Sequence, residues 1–219
     1  MSAGEPLRLA ILISGRGSNM LAIAQACTEK KIHAEVDVVI ADRTQAAGIE
    51  AARNLGIPTA VVPWKALDTR EAAEQVLTDL LVAHRPDLIV LAGFMRILST
   101  PFVERYTGRM LNIHPSLLPR YTGLHTHRRV LAAGDAQHGA SVHFVTAELD
   151  GGPVVLQSRI AVRPGDTEEA ISGRVQKTEH MIYPRVIGWM SDGRLAWRDG
   201  KPWLDGRPLE SPVVEDFDE

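Results

Sequence analysis

The amino-acid sequence predicts an α/β protein with a doubly wound, mostly parallel central sheet and an antiparallel C-terminal part. Three observations lead there. Apolar runs of strand length alternate with helical patterns through the first half, which implies a parallel sheet with helices on both faces. A glycine-rich loop, Gly15-Arg16-Gly17-Ser18-Asn19, joins the first run to the first helix, as in Rossmann-like sheets. In the second half, Asp150-Gly151-Gly152-Pro153 turns one run back on another, which implies an antiparallel pair.

Leu9 to Ser14 is an apolar run, as expected of a strand buried on both faces. A helix with Leu21, Ile23, Ala24 and Cys27 follows the glycine loop. Val36 to Ala41 is the second strand, and Ala47 to Leu55 the second helix, stopped by Gly56. Thr59 to Val62 is a short third strand. Asp68 or Thr69 caps a third helix reaching about Ala83, with Ala73, Val76, Leu77, Leu80 and Leu81 on its apolar side. Leu88 to Gly93 is the fourth strand, Thr100 to Tyr106 a short helix and Met110 to His114 the fifth strand. His127 to Ala133 reads as a helix. Ser141 to Thr146 alternates, and Val154 to Val162 is its partner strand. Thr167 to about Met190 is helical, with an interruption expected near Pro184. Leu195 to Trp197 and Pro202 to Leu204 form a small hairpin around Asp199-Gly200. From Asp205 onward, proline and acidic residues predict a frayed tail.

Composition narrows the function classes. The chain has 219 residues, 45% of them hydrophobic, enough for one large domain with a full core. Its formal charge is -3, from 24 basic and 27 acidic residues, so there is no general basic footprint for nucleic acid. Apolar runs are strand-length, so no membrane span is expected. Cys27 stands alone, which rules out an internal disulfide or a cysteine zinc site and leaves a small buried hydrophobe. Met1 to Pro6 is short and polar, so no signal peptide is expected, and a reducing cytoplasm is the expected setting. Small molecules are the expected partners, with neither nucleic acid nor membrane. Monomer or homodimer is left open.

Four groups of residues carry chemistry. In the glycine loop, backbone N–H groups and a helix N-terminus favour an anion. Met20 stands where a dinucleotide fingerprint needs its third glycine, and no Gly-Lys-Ser/Thr follows, so a single phosphate fits better. A plain glycine turn is the alternative. The second group is Asn112 and His114, two apart on a strand and so on one face, with Leu111 and Ile113 on the other. An amide beside an imidazole can bind a carbonyl oxygen and hold its developing charge. Asp150, in the glycine turn, would favour a protonated His114 if the two meet. A core histidine and a turn aspartate are the alternative.

The third group is His125, His127, His138 and His143. Their spacings match no metal pattern, so no metal site is expected. They read as solvated or capping residues, except that His143 follows a strand period and can face the same cleft. The fourth is Gly93-Phe94-Met95-Arg96-Ile97-Leu98, which could line a slot for a flat ring system. Taken alone, core side chains plus a surface arginine is the stronger reading of that stretch.

Together these segments resemble the folate-dependent formyltransferases, and within them the phosphoribosylglycinamide formyltransferase family. The resemblance runs from Leu9 to about Leu209. Its carriers are Ile13 to Asn19, Leu91 to Leu98, Leu111 to Pro119 and Glu148 to Pro153, with Gly123 to His127 and Val175 to His180. The Asn-x-His-Pro-Ser-Leu-Leu-Pro stretch is shared by the wider family, and Gly-x-Gly-Ser-Asn points to the glycinamide ribonucleotide branch.

The resemblance implies a formyltransferase fold in a single domain, 1–219. It divides into a phosphate-binding half over 7–108, a catalytic and folate-binding half over 109–204, and a tail over 205–219. It implies a catalytic set on Asn112, His114 and Asp150. It implies that phosphoribosylglycinamide is held at its phosphate by Gly17, Ser18 and Asn19. The glycinamide end falls to Gln176, Lys177, Thr178 and Glu179, with Glu179 near the amine. The folate falls to Arg70, to Met95, Arg96, Ile97 and Leu98, to Asn112, and to Thr146, Ala147, Glu148, Leu149 and Asp150. Two departures stand out. Arg16 occupies a variable position beside the phosphate, and Thr122 replaces the proline common before Gly-Leu-His-Thr-His.

The activity so implied is direct formyl transfer from 10-formyltetrahydrofolate to the glycinamide amine in purine (IMP) synthesis, without a metal. Asn112 and protonated His114 would donate to the formyl oxygen, and Asp150 would hold His114 charged. A formyltetrahydrofolate hydrolase is the nearest alternative, but that relative usually carries an N-terminal regulatory domain, and here the first strand begins almost at once. A transfer-RNA formyltransferase would carry a further C-terminal domain and a basic surface. A non-catalytic binding protein for a phosphate ligand is the alternative of a different class, and the intact Asn112, His114 and Asp150 argue against it.

Overall fold

The computed structural model describes residues 4–217; the first three residues of the polar N-terminal segment and the last two of the expected tail lie outside the described residues. The elements are β1 (Leu7–Ile13), α1 (Ser18–Thr28), β2 (Ala34–Ala41), α2 (Ala47–Asn54), β3 (Thr59–Val61), α3 (Arg70–His84), β4 (Leu88–Leu91), α4 (Thr100–Arg105) and β5 (Met110–His114). Then follow α5 (Thr126–Ala133), β6 (Gln137–Phe144), β7 (Val154–Ala161), α6 (Glu168–Ser191), β8 (Leu195–Arg198), β9 (Lys201–Leu204), β10 (Arg207–Pro208) and β11 (Val213–Asp216).

Strand β1 explains the layering. Its side chains alternate between the two faces of the sheet. Leu9, Ile11 and Ile13 pack on one side with residues of α1, α2 and α6, including Ile23, Ile49 and Tyr183. Ala10 and Leu12 pack on the other with Ala73, Leu77 and Leu81 of α3 and Phe102 of α4. Continuous apolarity is therefore what this strand needs. Helix α3 starts where Thr69 Oγ1 accepts from the Ala72 N–H at 3.1 Å, a cap worth about 1 kcal/mol.

The main sheet has the order β11-β7-β6-β5-β4-β1-β2-β3. Strands β3, β2, β1, β4 and β5 run parallel, whereas β6 is antiparallel to β5, and β7 to β6. After β3 the chain crosses back over β1 to lay down β4. The ends of β1 and β4 thus form a topological switch point, where open α/β sheets bind ligands. Among the described residues, no helix is long and apolar enough to cross a membrane.

Three expectations shift. Strand β6 starts at Gln137, earlier than the alternating pattern suggested. His138-Gly139-Ala140 has no strand signature of its own, but a side chain at Gly139 would strike the Ser158 carbonyl of β7, so the close pairing needs glycine. Helix α6 runs through Pro184 without a break, because Ile182, Tyr183, Val186 and Ile187 are buried on both sides of it. The expected frayed tail instead carries β10 and the edge strand β11. The latter pairs parallel to β7, fastened by Arg159 to Asp216 and Arg185 to Glu215.

Candidate active site

At the end of β1 the chain turns into α1 through Gly17, whose φ of 74° is left-handed. A Cβ there would lie 3.1 Å from the Gly48 Cα. The first turn of α1 then presents Ser18 and Asn19 to helix α6. Gln176 Nε2 donates to Ser18 Oγ at 3.1 Å, and Asn19 Nδ2 donates to Glu179 Oε2 at 2.8 Å. Asn19 and Glu179 are both buried, and Asn19 Oδ1 has no hydrogen-bond partner among the described residues. Burial pushes the Glu179 carboxyl up to about 7, against the Asn19 hydrogen bond, which lowers it. A carboxyl that readily takes a proton can stand beside a bound anion at little electrostatic cost.

The other end of the cleft is assembled from β5, β6 and the 150 turn. Asn112 and His114 share a face of β5, as their spacing predicts. Asp150 takes a left-handed conformation, φ 53°, which aspartate tolerates. Gly152 lets the turn close, since a Cβ there would sit 1.8 Å from the Phe144 carbonyl oxygen. His114 Nδ1 lies 3.4 Å from Asp150 Oδ2, both side chains buried. His114 Nε2 lies 2.9 Å from the Tyr121 carbonyl oxygen. Both neighbours are acceptors, so either ring nitrogen that carries a hydrogen faces a group able to receive it. The Gly123 N–H donates to Asp150 Oδ2 at 2.8 Å, docking the Thr122–His125 loop onto the carboxylate.

Sequence reasoning left His143 undecided. It pairs directly with Asn112 across β5 and β6, and Asn112 Nδ2 lies 3.1 Å from His143 Nε2. The antiparallel register was the signal that could have found it. The Tyr121 carbonyl and Gly123 N–H are backbone groups and leave no mark in side-chain chemistry.

Between the two ends lies the expected slot. The Met95 N–H donates to Ser14 Oγ at 2.8 Å, tying the segment after β4 to the end of β1. Met95, Ile97 and Leu149 are large apolar side chains left exposed at the cleft. The cleft holds about 600 Å³ and joins the Gly15–Asn19 loop to His114 and Asp150. Arg96 lines it, but its Nε donates to the buried Asp42 at 2.6 Å, so the guanidinium is anchored in the sheet. Leu98, Thr146, Ala147 and Glu148 continue the cleft-lining segments without lining the cleft. Arg70 is exposed at the start of α3 beside Glu71. On α6, Gln176 and Glu179 line the cleft, Thr178 is buried against Ser158, and Lys177 faces a separate groove. Among the described residues, His, Cys, Asp and Glu form no cluster suited to a metal ion.

A family model described as formyl transferase matches residues 7–187. The chain belongs to the formyl transferase family. Within that family, a phosphoribosylglycinamide formyltransferase of Escherichia coli (strain K12) is 53% identical over 203 residues, covering 93% of this chain and 96% of the relative. Its namesake in Haemophilus influenzae is 43% identical over 202 residues, with 92% and 95% covered. The solved structure of a phosphoribosylglycinamide formyltransferase from Coxiella burnetii superposes with a TM-score of 0.92 at 46% identity, covering 96% of this chain and 99% of the other. The family resemblance read from the motifs is borne out, and so is the fold class.

Proposed function

We propose that this formyl transferase moves the formyl group of 10-formyltetrahydrofolate to the amine of 5'-phosphoribosylglycinamide. The products are 5'-phosphoribosyl-N-formylglycinamide and tetrahydrofolate, within purine (IMP) synthesis. One observation carries the reading: a single cleft joins a loop suited to one phosphate to a half-buried amide beside a buried imidazole and carboxylate. The residues fit both substrates. The exposed apolar Met95, Ile97 and Leu149 suit a flat ring, and Asn19 Oδ1, without a partner among the described residues, can accept from a ribonucleotide donor.

The folate supplies a formyl carbon that an amine can attack. A new C–N bond forms to the glycinamide, the C–N bond to the folate breaks, and one proton passes from amine to folate nitrogen. We assign the chain's part as follows. Asn112 donates an amide N–H to the formyl oxygen as that oxygen gains charge. His114 turns its Nε2 donor from the Tyr121 carbonyl to the same oxygen. Removing one such donor costs about 3 kcal/mol of barrier. Asp150 stabilises positive charge on His114 and helps a water carry the proton. Gly17, Ser18 and Asn19 hold the phosphate, and Gln176 and Glu179 hold the rest of the ribonucleotide along α6. Small molecules as substrates, a cytoplasmic setting, and a monomer or homodimer complete the reading.

A spectroscopic assay of tetrahydrofolate release tests this. Release is expected only when the ribonucleotide is present. Release without it would make the protein a hydrolase, and no release in either case would leave a binding protein.

A further inference from the structure

We propose that His143 is a positioning residue for formyl transfer: through Nε2 it fixes the amide of Asn112 and leaves that amide one N–H for the formyl oxygen. The inference rests on the assignment of Asn112 as a donor and adds the group that makes it one.

His143 Nδ1 lies 2.9 Å from the Phe144 carbonyl oxygen, which can only accept. The ring hydrogen therefore sits on Nδ1. Nε2 is then a bare acceptor, and it faces Asn112 Nδ2 at 3.1 Å. Turning the amide over would bring Oδ1 against that lone pair, acceptor against acceptor. A primary amide has two N–H groups on one nitrogen. His143 takes one and leaves the other.

The neighbouring carboxylate makes the tautomer matter. Asp150 stands between two histidines, with Oδ2 at 3.4 Å from His114 Nδ1 and Oδ1 at 4.0 Å from His143 Nε2. A second proton drawn onto His143 would turn Nε2 into a donor and reverse the preferred orientation of Asn112. Burial opposes this: His143 is 2% exposed, and desolvation lowers its affinity for a proton. The two histidines therefore divide the work. His114 faces acceptors on both sides, the Tyr121 carbonyl and the Asp150 carboxylate. His143 is held uncharged by its surroundings and orients an amide.

The experiment is a double-mutant cycle with kinetics in both substrates. His143→Leu should lower kcat about tenfold to hundredfold, the scale of a misplaced catalytic group, with both KM values little changed. In a protein already carrying Asn112→Ala, it should cost almost nothing more. His143→Gln, whose amide oxygen can serve as the acceptor, should recover most of the kcat. Additive losses would overturn the inference while leaving the transfer reaction standing. A fully active Asn112→Ala protein would remove the donor assignment and the inference together. Nitrogen-15 NMR of the intact protein reads the tautomer without turnover: a hydrogen on Nδ1 and a bare Nε2 are expected at neutral pH. A hydrogen on Nε2 would overturn the inference.

Discussion

At one end of the cleft, Asn19 and Glu179 meet at 2.8 Å; at the other, His114 and Asp150 stand 3.4 Å apart and His143 and Asp150 4.0 Å. The first end is a finished contact between two helices. Its carboxyl is desolvated and drawn toward its neutral form. The second end places two imidazoles, an amide and a carboxylate around a small space without closing it. Binding a phosphate requires donors held still. Moving a proton requires groups whose hydrogen bonds can be exchanged, such as His114 Nε2 with the Tyr121 carbonyl. On the proposed function, the loop end would supply affinity and the strand end rate.

The sharpest way to break that division is Asp150→Asn. The asparagine oxygen can still accept from the Gly123 N–H, so the loop should stay docked. What disappears is the charge beside His114. The expected loss is about 10²- to 10⁴-fold in kcat, the range of a general acid–base group, with ribonucleotide affinity retained. A variant that turns over normally would remove Asp150 from the transfer step.

The two ends were not equally legible in the sequence. The glycine loop is local: glycines, a helix start and a preceding apolar strand lie within one short stretch, and pattern alone located them. Asn112 and His114 were legible as a pair because a strand repeats every second residue. Their partners were harder. Asp150 reaches His114 only through the β6–β7 turn, and Asn112 reaches His143 only through antiparallel register. Spacing offered no way to prove either contact; the family resemblance supplied the first and left the second undecided. The tail failed for a different reason. Glu215 and Asp216 look like tail acids, yet arginines on α6 and β7 pair with them and allow an edge strand over Val213–Asp216. Cross-chain charge pairing of that kind is invisible to a local window.

The buried carboxyl at the loop end predicts a smaller effect, seen in stability. Glu179 rises from 4.5 to about 7 on folding. Between those pH values the folded protein holds a proton that the unfolded chain has released. Stability from this group is therefore complete below about pH 4.5 and is lost as pH rises toward 7. Glu179→Gln removes the titration. Across that window the variant should gain on the native protein by at most about 3 kcal/mol, because each tenfold change in proton affinity is worth about 1.4 kcal/mol. Chemical denaturation at several pH values measures it. Parallel pH curves for the two proteins would show that the carboxyl is already ionised when folded.

The smallest effects separate the two side chains of the loop. Asn19 is buried and bonded to a carboxyl, whereas Ser18 is half-buried and bonded to a neutral amide. Asn19→Ala deletes a donor near the expected phosphate and strands Glu179 without its partner. Ribonucleotide binding should weaken roughly tenfold to hundredfold, the worth of a hydrogen bond to a charged group. Ser18→Ala keeps the loop's backbone N–H groups and removes one exchangeable hydroxyl, and the loss should stay under about tenfold. Titration calorimetry with each substrate tests both variants, and folate binding should be untouched in each. If Asn19→Ala weakened the folate as much as the ribonucleotide, the two ends of the cleft would be one cooperative unit, and the division between affinity and rate would fail.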